Sequence, residues 1–210
     1  MPTSDPLVIS PIGSLLITSA REGETVANDV LQALDIIESA ATRDPLTALS
    51  DNVSGAERVA LNHAQLSILT ASLSAITGLS TKTIESAIAV RAAATPTLLT
   101  FSSVQLLADV ASDLNDPVLN TFITEITGSV GRFLQQMSAA DVATLGQFVD
   151  VGLRAVVADS VAIAGGDTAL AEDYRTNVLG VVETSSSLAN LSSQLPNFNE
   201  YSYRISEGAA

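Results

Sequence analysis

The sequence predicts an all-α protein, an array of about seven helices with an extended N-terminal arm and an extended C-terminal tail. Three observations carry this. Apolar residues recur at three- and four-residue steps, the period of a helix face. Helix-start signals recur along the chain as Ser, Thr or Asp ahead of a periodic stretch, twice followed by Pro. Long stretches carry no charge, which suits helices covered on several sides.

Residues 7–19, LVISPIGSLLITS behind Pro6, are apolar and β-branched, and Pro11 and Gly13 interrupt them. They predict an extended arm or a short strand pair, placed in an arm over 1–24. The first helix is expected over 25–42, with Val26, Val30, Leu34, Ile37 and Ala41 on one face. Asp44-Pro45 and Asp51-Asn52 mark a loop, and the TALS between them predicts a short turn. Ser54 and Glu57 have capping-box spacing, in which each side chain bonds the other's backbone N–H. They open a helix to about Ile76, which meets Gly78. Ser80 or Thr81 caps the next helix, over 81–93.

Thr95-Pro96 opens a helix over 96–114, and Asp116-Pro117 opens one over 117–137. Pro is pre-organised for a first helical turn, where its missing donor is not needed. Ser138 and Asp141 repeat the capping-box spacing before a helix over 139–164, which Gly165-Gly166 stops. Asp167 caps a last helix over 168–194, ended by Pro196. The tail, NFNEYSYRISEGAA, alternates aromatic and polar residues and predicts an extended segment. The organisation expected is therefore an arm (1–24), one helical domain (25–196) and a tail (197–210).

Residues 64–81, AQLSILTASLSAITGLST, are eighteen residues without a charge. On a helix, Leu66, Leu69, Leu73 and Ile76 form an apolar stripe, with Ser67, Thr70, Ser74 and Thr77 as a hydroxyl stripe beside it. A lipid span is mostly Leu, Ile, Val and Phe. Eight Ser, Thr and Gln among these eighteen make a poor one. Small hydroxyl residues let helices approach closely, and their O–H groups bond carbonyls one turn back. The leucine stripe is expected to face the chain's own core and the hydroxyl stripe a neighbouring subunit. The plainer alternative is the central helix of a monomeric bundle. Residues 92–108 and 184–199 are also uncharged, and Ala158, Ala162 and Gly166 form a small-residue ridge.

Charged residues are 15% of the 210, against about 25% in an average soluble domain. The net charge is −14, and no two basic residues are adjacent. Nucleic-acid binding neutralises phosphates with clustered cations, so neither it nor attraction to an anionic membrane is expected. The chain has no Cys, which excludes disulfide and thiolate chemistry. The first cation is Arg21, so MPTSDPLVIS lacks the basic start of a Sec signal. Synthesis in the cytoplasm is expected, with a virion or an extracellular filament as the destination.

No catalytic or cofactor motif stands out, and neither cofactor nor metal is expected. His63, in LNHAQL, lies inside a predicted helix without G-x-S-x-G context and reads as an ordinary helix histidine. Asp109, Asp113 and Asp116 lack the Gly-centred turn and later Glu of a calcium loop. They read as solvated acids, with Asp116 an N-cap. GSVGRF and AIAGGDT match no phosphate-loop fingerprint. Helix packing explains the first and a helix stop the second.

The function expected is that of a non-enzymatic structural subunit that self-assembles into a filament, tube or particle. Its residue usage is similar to that of flagellin-like and phage virion proteins, a likeness of composition that covers no motif. Candidate assembly contacts are Val8, Ile9, Ile12 and Leu15 in the arm, and Ser67, Thr70, Ser74 and Thr77 on the hydroxyl stripe. Phe198, Tyr201, Tyr203 and Ile205 are the candidates in the tail. The partners expected are copies of the chain and other structural proteins of the same assembly. The alternatives are a helical adaptor, an enzyme with a dispersed acidic site, and a membrane-inserting protein. A partner-binding groove, convergent perturbed carboxylates, and detergent partition would mark these in turn.

Overall fold

A computed structural model describes residues 11–36, 43, 45–94, 100–138, 145–167 and 169. Every regular element among them is helical, in agreement with the predicted fold class. In chain order these are α1 (Pro11–Glu22), α2 (Glu24–Ala33), α3 (Pro45–Ser50), α4 (Ala56–Thr77), α5 (Thr81–Ala93), α6 (Val104–Leu114), α7 (Pro117–Ser138) and α8 (Leu145–Val151). A π-helical segment (Gly152–Val156) then leads into α9 (Val157–Ala164).

α4 is the hub. It packs against α1, α3, α5, α7, α8, the π segment and α9. Its buried positions run from Ala56 to Leu73 on all sides, as expected of a helix enclosed by others. By length and composition it could cross a bilayer, but 61% of its most apolar window is buried inside the chain. The leucine stripe is internal at Leu66, Leu69 and Leu73. A single connected core joins it to Phe101, Phe133, Leu119 and Ile88.

The polar residues of α4 close the ends of other helices. Asn62 Nδ2 and Arg58 Nε both donate to the carbonyl of Leu34, the C-cap of α2, at 3.2 and 3.3 Å. Gln65 Nε2 donates to Leu134 O in the last turn of α7, at 2.8 Å, and to Ser138 Oγ, at 2.9 Å. Leu34 O lies past the end of α2 and has no helical partner there, and Leu134 O also accepts from Ser138 Oγ, so Asn62 and Gln65 sit in the core with their amide N–H groups matched.

Several boundaries are those the sequence predicts. Ser80 Oγ accepts from Thr83 N and caps α5. Asp116 Oδ1 accepts from Val118 N and Leu119 N at the start of α7. The TALS stretch, expected as a short turn within a loop, is instead helical as part of α3. At Gly165-Gly166 the chain leaves α9 with Gly166 at φ 76, Gly166 N bonding Ile163 O and Asp167 N bonding Ala162 O. That paired pattern is a Schellman stop.

Others differ. Residues 11–22 form α1 rather than an extended arm. Pro11 opens the helix instead of interrupting it, and Ile12, Leu15 and Ser19 share its buried face. α2 ends at Ala33 rather than at 42. Asp35 turns left-handed at φ 54, while Asp35 N and Ile36 N bond Gln32 O and Leu31 O. Gly55, not Ser54, precedes α4, and no side chain caps that end. α6 begins at Val104, because Ser103 Oγ accepts from Leu106 N. The helix expected over 139–164 carries a π turn within its described part, 145–164. Residues 1–10, 37–42, 44, 95–99, 139–144 and all beyond 167 except Ala169 lie outside the described residues. They include the expected last helix, the tail and the proposed caps Thr95 and Asp141.

A left-handed Asp is more strained than Gly, though Gly loses more freedom on folding. Asp35→Gly is therefore expected to raise unfolding stability by about 0.5 kcal/mol, read from a urea midpoint.

Candidate functional site

The hydroxyl stripe of α4 turns inward. Thr70 is 6% exposed and donates to Leu66 O at 2.8 Å. Ser67 donates to His63 O, Thr77 to Leu73 O, and Ser74 to Leu79 O just beyond the helix. All three are half-buried. The hydroxyls thus satisfy the chain's own carbonyls, and the chain itself covers most of the face expected to meet a neighbour. Ile12 and Leu15 are fully buried beneath α1 and are core residues, not outward contacts. Val8, Ile9, Phe198, Tyr201, Tyr203 and Ile205 lie outside the described residues. Ala158 and Ala162 of the small-residue ridge are buried, and Gly166 is exposed.

One outward feature among the described residues is a groove along α5, of roughly 610 Å³. Thr83, Ala87, Val90 and Ala94 recur at helical steps along its floor, with Ser86 and Arg91 beside them. Leu79 closes one end, and Asp113 and Leu114 at the end of α6 form the facing wall. Val90 is 50% exposed, an unusual place for a β-branched apolar side chain.

One ion pair spans this groove. Arg91 reaches Asp113 through both Nε and Nη2, each to a separate carboxylate oxygen. The hydrogen bonds to Arg91 hold the Asp113 carboxyl below its usual range, and those to Asp113 raise Arg91. The pair ties α6 to α5 and leaves the groove nearly neutral, suited to apolar and small polar side chains. The sequence placed Asp113 among solvated acids. Its partner is 22 residues away, beyond the reach of helical spacing.

Asp116 is the cap expected of it. His63 is half-buried in the middle of α4, an ordinary helix position. Gly131 of GSVGRF lies on α7 against Val104 and Leu107 of α6, which is helix packing. Ser129 Oγ donates to the Asp159 carboxylate, a contact joining α7 to α9, with both residues buried. No group of three metal-ligating side chains forms among the described residues. No protein-family model matches the chain, and neither does any curated protein or solved structure.

Proposed function

We propose that this chain is a non-enzymatic structural subunit that associates with copies of itself into a filament, tube or particle. The observation that carries the reading is a set of exposed apolar residues on a charge-poor chain. The neutral stretch 92–108 surfaces at Ala94, Thr100, Val104 and Gln105, and Val90 lies on the adjoining helix α5. Val90 and Val104 are both at least half exposed. Exposed apolar side chains such as these gain from being covered by another protein surface. The net charge of −14 would keep subunits apart until they dock in register. Copies of the chain are the first partner, and other proteins of the same assembly the second.

The size distribution of the full-length protein, by light scattering with negative-stain imaging across salt concentrations, tests this. Ordered polymers or shells are expected. A monodisperse 21.6 kDa monomer under all conditions overturns self-association. Val90→Glu is expected to shift the distribution toward monomer and to change unfolding stability by no more than about 0.5 kcal/mol, since the site is half exposed. An unchanged assembly removes Val90 from the contact.

The groove favours a second reading, a helical adaptor that lodges one partner helix along α5. A stable monomer that binds one partner at that groove, and loses it on Val90→Glu, would select it.

A further inference from the structure

Glu85 lies on α5 beneath the N-terminal helix. It is 5% exposed, and Ser14 Oγ of α1 donates to its Oε2 at 2.6 Å. α1 docks on α5, α2 and α4 through Ile12 and Leu15, which are fully buried. A carboxylate taken from water needs a cation or several donors to offset its lost hydration.

The charged and titratable groups on the surrounding helices are few. They are Arg21 and Glu22 on α1, Glu24 and Asp29 on α2, and Glu57, Arg58 and His63 on α4. Lys82 and Arg91 share α5 with Glu85, and Asp109 and Asp113 are on α6. Arg58 bonds Leu34 O, and Arg91 is held by Asp113. Burial acts on Glu85 first and raises its carboxyl above the usual 4.5, while the Ser14 hydrogen bond opposes part of that rise. Among the described residues no charged neighbour contributes to that shift.

We propose that Glu85 and Ser14 form an acid-tightened clasp: α1 is held firmly on α5 when Glu85 is protonated and loosens as Glu85 ionises. The direction follows from linkage. A carboxyl whose acid form is favoured when docked gives its full docking preference below the free-carboxyl range. That preference falls as pH climbs from about 4.5 into the raised range of docked Glu85, and it stays lost above. The clasp does not depend on whether the chain assembles.

Hydrogen–deuterium exchange of the full-length protein between pH 4 and 8, corrected for intrinsic exchange chemistry, tests this. Peptides within 11–22 report α1, and peptides within 117–138 serve as reference. The opening equilibrium of α1 is expected to rise by up to about tenfold per pH unit through the window, while the reference stays flatter. Glu85→Gln keeps the shape and an acceptor for Ser14, and is expected to leave α1 protected at every pH. Ser14→Ala removes a donor that favours the ionised form, so the window is expected to move to higher pH. The clasp is overturned if α1 opening in the native protein does not change with pH, or if Glu85→Gln keeps the slope. It is equally overturned if α7 opens in parallel with α1, or if Ser14→Ala moves the window down.

Discussion

Leu73→Asp is expected to abolish the folded state. Leu73 is 4% exposed and completes the stripe with Leu66 and Leu69 on α4, the helix that most others touch. The substitution removes a buried isobutyl group and places a carboxylate in an apolar core. Truncating a buried Leu alone costs about 2–5 kcal/mol, and burying an unpaired charge adds to that. A total above about 4 kcal/mol takes most of the stability of a domain at the lower end of the usual 5–15 kcal/mol. Far-UV circular dichroism and thermal unfolding check it, with loss of the cooperative transition as the expected result. The same variant bears on assembly. A folded Leu73→Asp protein that no longer associates would put the stripe at a subunit contact and contradict its place in the core. Leu73→Met, which keeps the volume, is expected to stay within about 1.5 kcal/mol of the native protein.

What the sequence discloses here depends on how local the deciding interaction is. Ser80, Asp116 and Gly165-Gly166 act within one turn of themselves, and each marks the boundary it predicts. The leucine stripe of α4 is equally local, because helical period alone puts Leu66, Leu69 and Leu73 on one face. Residues 11–22 were legible in principle. Pro11 suits a first helical turn, and Ile12, Leu15 and Ser19 keep helical spacing. The β-branched run before them pulls toward an extended reading.

The hydroxyl stripe shows a different limit. Ser67, Thr70 and Thr77 donate to carbonyls of their own helix, so they suit a covered face whatever covers it. Period cannot distinguish a neighbouring subunit from another helix of the same chain. The Arg91–Asp113 pair and the Glu85–Ser14 bond join residues 22 and 71 positions apart, so both follow from how helices dock. The groove is legible only in part. Thr83, Ala87, Val90 and Ala94 already lie on one face of α5, but the facing wall comes from α6.

Gly152→Val is the second large effect, and it tests the least anticipated element. The π turn over Gly152–Val156 brings the backbone against α4 and α7, closed by the bond from Val157 N to Gly152 O. A Cβ at 152 would lie 2.8 Å from both Ile68 Cγ1 and Phe133 Cε1, and closer still to Ile68 Cδ1. Ile68 and Phe133 are fully buried, and Phe133 is pinned edge-on to Phe148 with ring centroids 5.9 Å apart. Neither can yield without moving its neighbours. Overpacking of this kind costs about 1–3 kcal/mol, and the two extra methyls of Val put the expected loss near 3 kcal/mol. A urea titration reads it as a lower midpoint. Gly152→Ala is milder, because about 1 kcal/mol of helix propensity offsets part of the clash. A double-mutant cycle identifies the cause. Ile68→Val removes Cδ1, the nearest atom, and costs about 0.5–1.5 kcal/mol alone. If close approach is what requires glycine, adding it to Gly152→Val should recover about 1 kcal/mol relative to additivity. Strict additivity would mean that Ile68 Cδ1 is not what bars a side chain at 152, leaving Phe133 as the obstacle.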